Sequence, residues 1–191
     1  MSRRRLRPEQ RRDELVDAGE QLFARRGYDD VTMEEVARYA EVSRALLYQH
    51  FATKRDLFAT VYRRASDRLL DQVQLTSDRP LGAQIDAGLD AHFDYFEANR
   101  ATVIAANRTL AGDPAIQAII SDELSVLRER VLDATNLTGE RRALTSSILH
   151  SWLLFVRVLT VDWLTEPHCT RAELRAICTS ALLAALNPEA S

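Results

Sequence analysis

Apolar residues recur every three or four positions along most of the chain, which predicts a protein built from amphipathic helices. The first periodic stretch runs from about Glu9 to Arg26, and Asn187 and Pro188 follow the last one. No segment shows the alternation expected of a half-buried strand. Only 6 glycines and 5 prolines occur in 191 residues, which agrees with a helical chain. We therefore predict an all-α fold of about nine helices.

Two short helices are predicted close together near the N-terminus. The capping box at Thr32 and Glu35 begins the first, which should span Met33 to Ala40. Ser43 begins the second, in which Leu47 should face inward. Two short helices joined by a tight turn are typical of a helix-turn-helix. The outward face of the second helix carries Arg, Gln and Tyr side chains, which suit base edges and phosphates in a major groove.

At these positions the sequence resembles the TetR family of bacterial regulators, over about residues 9 to 60. The resemblance is carried by Thr32, Val36-Ala37, Ala40-Glu41-Val42-Ser43, Leu47-Tyr48, His50-Phe51 and Lys54 to Leu57. It implies an N-terminal domain, residues 1–56, that holds a basic arm and a three-helix helix-turn-helix. It also implies a larger helical domain, residues 57–191, for ligand sensing and dimerisation, connected by the helix that begins near Lys54.

The resemblance also implies a set of DNA contacts. Tyr48, His50 and Lys54 would hold phosphates, while Arg44 and Gln49 would face bases. Helix N-termini favour anions, which suits the two capping hydroxyl residues. The expected DNA-binding residues are Thr32, Ser43, Arg44, Ala45, Tyr48, Gln49, His50 and Lys54. Double-stranded DNA is thus the expected partner, and an inverted repeat the expected operator.

Two residues depart from the family pattern. Glu41 replaces the glycine usual in the turn, so this position must keep a helical backbone or adopt the left-handed conformation at a small cost. Leu46 stands where a small polar residue usually contacts the DNA backbone. One phosphate contact is therefore expected to be missing.

The resemblance also implies that the larger part of the chain binds a small, largely apolar effector, although the residues alone do not show a pocket. Candidate pocket residues are His92, Tyr95, Phe96, Asn107, Trp152 and Phe155. Packing in the core or in a dimer interface is an equally good interpretation of each. The helix from Thr138 to about Leu164 is apolar on nearly every side in its second half, which predicts burial all round. Together with the small-residue stripe of the last helix, it predicts a homodimer interface.

Charge is unevenly distributed along the chain, whose net charge is -3. Residues 1–64 hold 14 basic and 11 acidic residues, and the remainder holds 11 and 17. Six arginines fall between Ser2 and Arg12, where they form either a phosphate-binding arm or a solvated terminus. The longest charge-free apolar stretch, Ala143 to Val156, is shorter than the roughly 20 residues that span a bilayer. We expect a cytoplasmic protein without a membrane partner.

Enzymatic chemistry is not supported by the motifs. The two cysteines lack metal-binding spacing, as do the four histidines, and no glycine-rich phosphate loop occurs, so neither a metal nor a cofactor is expected. The adjacent pairs His150-Ser151 and His168-Cys169 cannot face each other within a helix. The sequence therefore favours a ligand-responsive DNA-binding regulator, a repressor in the commoner case. A helical small-molecule-binding module without DNA-binding activity is the alternative.

Overall fold

The computed structural model describes residues 7–73, 80–135 and 137–186, and within these ranges it contains nine α-helices and no strand. The all-α prediction is confirmed. The sequence also predicts a polar break from Thr76 to Pro80. This expectation, like those for the first six residues and for the stop at Asn187-Pro188, lies wholly or largely outside the described residues. The helices are α1 (Pro8–Arg25), α2 (Met33–Tyr39), α3 (Arg44–His50), α4 (Lys54–Gln72), α5 (Leu81–Ala98), α6 (Arg100–Ile104), α7 (Pro114–Asp133), α8 (Gly139–Thr165) and α9 (Arg171–Leu186).

Side-chain caps determine where several of these helices begin. Thr53 at the start of α4 accepts a hydrogen bond from the Asp56 amide, and the Asp56 carboxylate accepts one from the Thr53 amide. Asp113 accepts hydrogen bonds from the amides of Ala115 and Ile116 at the start of α7, where Pro114 occupies the first helical position. The sequence predicts both starts, from Thr53-Lys54-Arg55-Asp56 and from Gly112-Asp113-Pro114.

The sequence predicts a short helix from Ala101 to Leu110, and the structure forms this segment differently. After α6 the backbone widens into a π-helical turn, Ala105–Thr109, in which the Leu110 amide donates to the Ala105 carbonyl five residues back. The Asn107 side chain donates to the Val103 carbonyl, and its oxygen accepts from Arg157 on α8. The wider turn thus places Asn107 against α8.

The helix-turn-helix is continuous with the larger part of the molecule. One hydrophobic core joins the inward faces of α1 to α4 to Ile116, Ile119 and Leu124 on α7. The rings of Phe23 and Phe58 meet edge to face at the centre of its N-terminal part, with centroids 5.1 Å apart. Because α4 packs on both α1 and α7, it is the structural link between the two parts.

The helix α8 is not buried on all sides in the single chain. Val158 is 59% exposed and Phe155 39% exposed, although Leu149 and Val156 are buried. By length and composition alone, α8 would pass as a membrane span. In the fold it packs between α7 and α9 as a core helix does, and its Arg157 forms an interior ion pair.

Candidate DNA-binding and effector sites

The first helix of the helix-turn-helix is held at its N-terminus. The Thr32 hydroxyl accepts from the Glu35 amide at 3.3 Å, and the Glu35 carboxylate accepts from the Thr32 amide at 2.9 Å. Arg26, which follows α1, donates to the same carboxylate at 2.7 Å. Hydrogen bonds from Arg26 and then from Thr32 lower the pKa of Glu35 to about 2. Thr32 is therefore placed by an ionised partner that ties α2 to the end of α1.

The second helix, α3, presents the predicted recognition face. The Ser43 hydroxyl accepts from the Leu46 amide at 3.2 Å and begins the helix. Leu47 and Phe51 are buried beneath it. Four of the expected DNA-binding residues are exposed on the opposite face: Arg44, Ala45, Tyr48 and Gln49. Residues three or four apart share a helix face, so these side chains form one contiguous surface.

The remaining expected DNA-binding residues flank this surface. His50 is half-buried in the last turn of α3, and Lys54 begins α4. The Lys54 ammonium donates to the Tyr28 carbonyl at 2.9 Å and lies 4.3 Å from the centroid of the Tyr28 ring. Arg44 is paired with Glu34 on α2. Sequence reasoning missed both partners, because Tyr28 and Glu34 lie 26 and 10 positions from the residues they hold.

An apolar cavity of about 60 Å³ lies between α4, α5, α7 and α8. Of the six predicted pocket residues, the structure brings His92 and Trp152 to its wall. Tyr95 and Phe96 are buried in a neighbouring cluster, Asn107 contacts Arg157, and Phe155 lies on the exposed side of α8. The complete lining is Leu69, Val73, Leu81, Gln84, Ile85, Gly88, Leu89, His92, Glu123, Leu124, Leu127, Val131, Ala134, Trp152, Leu153 and Val156.

A buried polar network adjoins one end of this cavity. Arg157 donates to Glu123 on α7 at 2.9 Å, to the Tyr62 hydroxyl on α4 at 2.6 Å and to Asn107 at 3.1 Å. The second Glu123 oxygen accepts from Ser66 on α4 at 2.7 Å. Burial of this kind is tolerated because each charge has a close partner. The network therefore joins the cavity wall to the helix that leads to the DNA-binding part.

Sequence reasoning missed Arg157 and Glu123. Each is a single charge among apolar residues at helical spacing: Glu123 lies between Ile120 and Leu127, and Arg157 follows Val156. A charge on a buried helical face must find a partner, and this was the available signal. The sequence could have indicated a buried pair, although not which two charges meet.

A second apolar surface lies on the other side of α8. Its exposed residues, Leu144, Phe155 and Val158, share a stripe with the half-buried Ile148. On α9, Ile177 is 49% exposed and Ala181 is exposed. Exposed apolar surfaces of this kind commonly mark an interface.

Known proteins resemble this chain most clearly in its helix-turn-helix segment. The family model described as "Bacterial regulatory proteins, tetR family" matches residues 15–61, which include α2, α3 and most of α1. The activator FasR of Mycolicibacterium smegmatis is 36% identical over 95 residues, which are 49% of this chain and 43% of FasR. The regulator AlkX of Mycobacterium tuberculosis is 29% identical over 61% of this chain and 56% of AlkX. The chain thus matches about half the length of these two curated relatives.

The structural comparisons extend over nearly the whole chain. A TetR-family transcriptional regulator from Streptomyces coelicolor has a TM-score of 0.82 and 26% identity, covering 94% of this chain and 83% of that one. The fatty acid degradation regulator FadR of Bacillus halodurans has a TM-score of 0.66 at 16% identity, over 94% and 96% of the two chains, and shares the fold. By its helix-turn-helix segment and by its overall fold, the chain is similar to the TetR family of bacterial transcriptional regulators, which are DNA-binding transcription factors.

Proposed function

We propose that this protein is a homodimeric repressor that binds an inverted-repeat operator and releases it when a small, largely apolar effector enters the cavity. The observation that carries the proposal is the course of α4. It begins at Lys54 beside the recognition helix and contributes Leu69 and, just past its end, Val73 to the cavity wall. An effector in the cavity and DNA at the recognition helix would therefore both act on α4.

In this proposal residues 1–56 bind DNA and residues 57–191 sense the effector and dimerise. The exposed α3 face reads bases with Arg44 and Gln49, and Tyr48, His50 and Lys54 hold phosphates. Arg44 exchanges its exposed partner Glu34 for DNA at little cost, because ion pairs at a surface contribute about 1 kcal/mol or less. Thr32 and Ser43 add contacts at the starts of their helices. Such a regulator acts in the bacterial cytoplasm, where the DNA lies.

The apolar face of α8 and α9 supports the homodimer. Two copies related by a two-fold axis would cover each other's exposed stripes and form a four-helix interface. The two α3 helices would then enter successive major grooves about 34 to 36 Å apart. An effector that favours a different tilt of α4 would change this spacing and lower the affinity for the operator.

The test is selection of bound fragments from random duplex DNA with the purified full-length protein. We expect an inverted repeat whose binding weakens steeply with salt. Lys54→Ala should weaken all sequences alike and flatten the salt slope, whereas Gln49→Ala should relax the preference at one base position. A folded dimer that enriches no sequence would overturn the proposal in favour of a ligand-binding module without DNA-binding activity.

A further inference from the structure

The effector cavity is a slot with one polar end. Along α5 its wall runs from Leu81 to His92, eleven residues apart, which is about 16 Å along a helix axis. The wall on α7 runs from Glu123 to Ala134, and Glu123 lies at the His92 end, because its partner Arg157 lies over the Phe96 ring that His92 contacts. Apart from Gln84, which is engaged in an interaction of its own, the side chains between the ends are apolar.

The two charged side chains at the polar end, Glu123 and Arg157, are already paired with each other. Both carboxylate oxygens of Glu123 accept hydrogen bonds, one from Arg157 and one from Ser66. Arg157 also donates to Asn107 and Tyr62. A charged ligand group would therefore meet neither an unpaired cation nor an unpaired anion at this end of the slot. Burying such a group without a counter-charge costs several kcal/mol.

His92 differs from these neighbours. Among the residues that the structure describes, nothing forms a hydrogen bond with its Nε2 atom, although this atom is sealed from solvent. The ring lies against Phe96, with centroids 3.9 Å apart, and the side chain forms part of the cavity wall. Burial and the nearby Arg157 lower the pKa of His92 to about 3, which keeps the imidazole neutral. A buried polar atom without a partner is uncommon and calls for a ligand or another explanation.

We propose that the effector is an elongated, uncharged amphiphile whose hydroxyl or carbonyl group forms a hydrogen bond with His92 Nε2. Its apolar chain lies along the slot toward Leu81. A hydroxyl group serves either imidazole tautomer because it both donates and accepts. The cavity is smaller than the roughly 300 to 1,000 Å³ of ordinary ligand sites, so the chain must part the helices to enter. This inference rests on the effector site of the proposed function and specifies its chemistry.

The experiment titrates the full-length protein, without DNA, with decan-1-ol, decanoate and decylammonium below their aggregation limits. The fluorescence of Trp152 in the cavity wall reports binding, in a Trp163→Phe background. We expect decan-1-ol to bind at least about tenfold more tightly than either ion. Equal or tighter binding of decanoate or decylammonium, or no binding of decan-1-ol, would overturn the proposal.

Two variants test the role of His92 itself. His92→Leu should weaken decan-1-ol binding by about fivefold, because one hydrogen bond to the ligand is lost. His92→Gln keeps a hydrogen-bonding group and should restore most of the affinity. Identical decan-1-ol affinities in the wild type and His92→Leu would overturn the proposal, and unfolding curves verify that both variants are folded.

Operator affinity without any ligand separates this inference from the proposed function. If the operator binds but the ligand preference fails, the effector chemistry alone is wrong. If the ligand preference holds but no operator is found, the DNA-binding proposal alone is wrong.

Discussion

Glu41 has a backbone conformation that glycine would adopt with less strain. It occupies the turn between α2 and α3 with a φ of 52°, in the left-handed region that glycine adopts without strain. Of the two backbone conformations that the sequence left open, the structure contains the left-handed one. A hydrogen bond from the Val42 amide to the Ala37 carbonyl, 2.9 Å long, holds the turn in this conformation.

We expect Glu41→Gly to be more stable than Glu41→Ala by about 1 kcal/mol, because alanine retains the left-handed strain and glycine relieves it. Both variants remove the Glu41 side chain, so their difference isolates the backbone. Urea unfolding at one fixed protein concentration measures it, since the stability of an oligomer depends on concentration. Equal midpoints and slopes for the two variants would show that the turn is not strained.

His92 gives the protein a pH-dependent stability. Its pKa is about 3 in the folded chain and near 6.5 in the unfolded one, so between these values the unfolded state binds a proton that the folded state does not. The free energy of unfolding therefore falls as the pH is lowered through this window. The contribution is at most about 1.4 kcal/mol per pH unit. Burial is the larger cause of the lowered pKa of His92, and the positive charge of Arg157 adds to it.

The measurement compares urea unfolding between pH 7 and pH 5 for His92→Gln and for His168→Gln. His168 is 82% exposed, which makes it the control. We expect a shallower loss of stability toward pH 5 in His92→Gln than in the wild type, and an unchanged loss in His168→Gln. Parallel curves for all three proteins would mean that His92 takes up its proton equally in both states.

At the scale of helices, the sequence predicted most of the starts because capping is local. Thr32, Ser43, Thr53 and Asp113 each satisfy amides within three residues, and short-range patterns reveal such contacts. The exposed side of α8 could not be identified from the sequence, because the composition of this helix is apolar on every side.

The same exposed stripe supplies a prediction about assembly. Val158→Glu should raise the dimer dissociation constant about a hundredfold, because a carboxylate would be buried in the proposed α8 and α9 interface of each subunit. Val126 on α7 is also an exposed apolar residue, 38% exposed, but lies on another helix. Val126→Glu should therefore dimerise normally.

Sedimentation velocity over a dilution series measures both variants, and circular dichroism verifies their helicity. A Val158→Glu protein that remains dimeric at the concentrations where Val126→Glu does would place the subunit interface elsewhere. The result also bears on DNA binding, because a monomer presents only one α3 helix to an inverted repeat.

At the scale of the whole molecule, the candidate site was only partly predictable. The recognition face could be predicted from the sequence, because all its residues lie in one short segment, α3 and its flanks. The cavity draws on four helices, and its polar end depends on Glu123, Arg157 and Tyr62, which lie far apart in the sequence. No periodic pattern encodes the meeting of such residues, whereas each buried charge does indicate that a partner exists.

The network around Arg157 should couple the cavity to the DNA-binding part through Tyr62. Tyr62→Phe removes an acceptor from the buried guanidinium, and the free energy of unfolding should fall by about 1 to 3 kcal/mol. Tyr95→Phe is a matched control, since the buried Tyr95 hydroxyl has no hydrogen-bond partner among the described residues and its removal should change stability little.

The coupling itself is the ratio of operator affinities without and with saturating decan-1-ol. In Tyr62→Phe this ratio should move toward one, because Glu123 and Arg157 then hold α4 only through Ser66, whereas Tyr95→Phe should keep the wild-type ratio. If Tyr62→Phe loses stability but keeps the full ratio, the network stabilises the core without transmitting the signal. Another contact of α4 would then transmit it, and the ion pair between Arg63 and Asp122 on α7 is the next candidate.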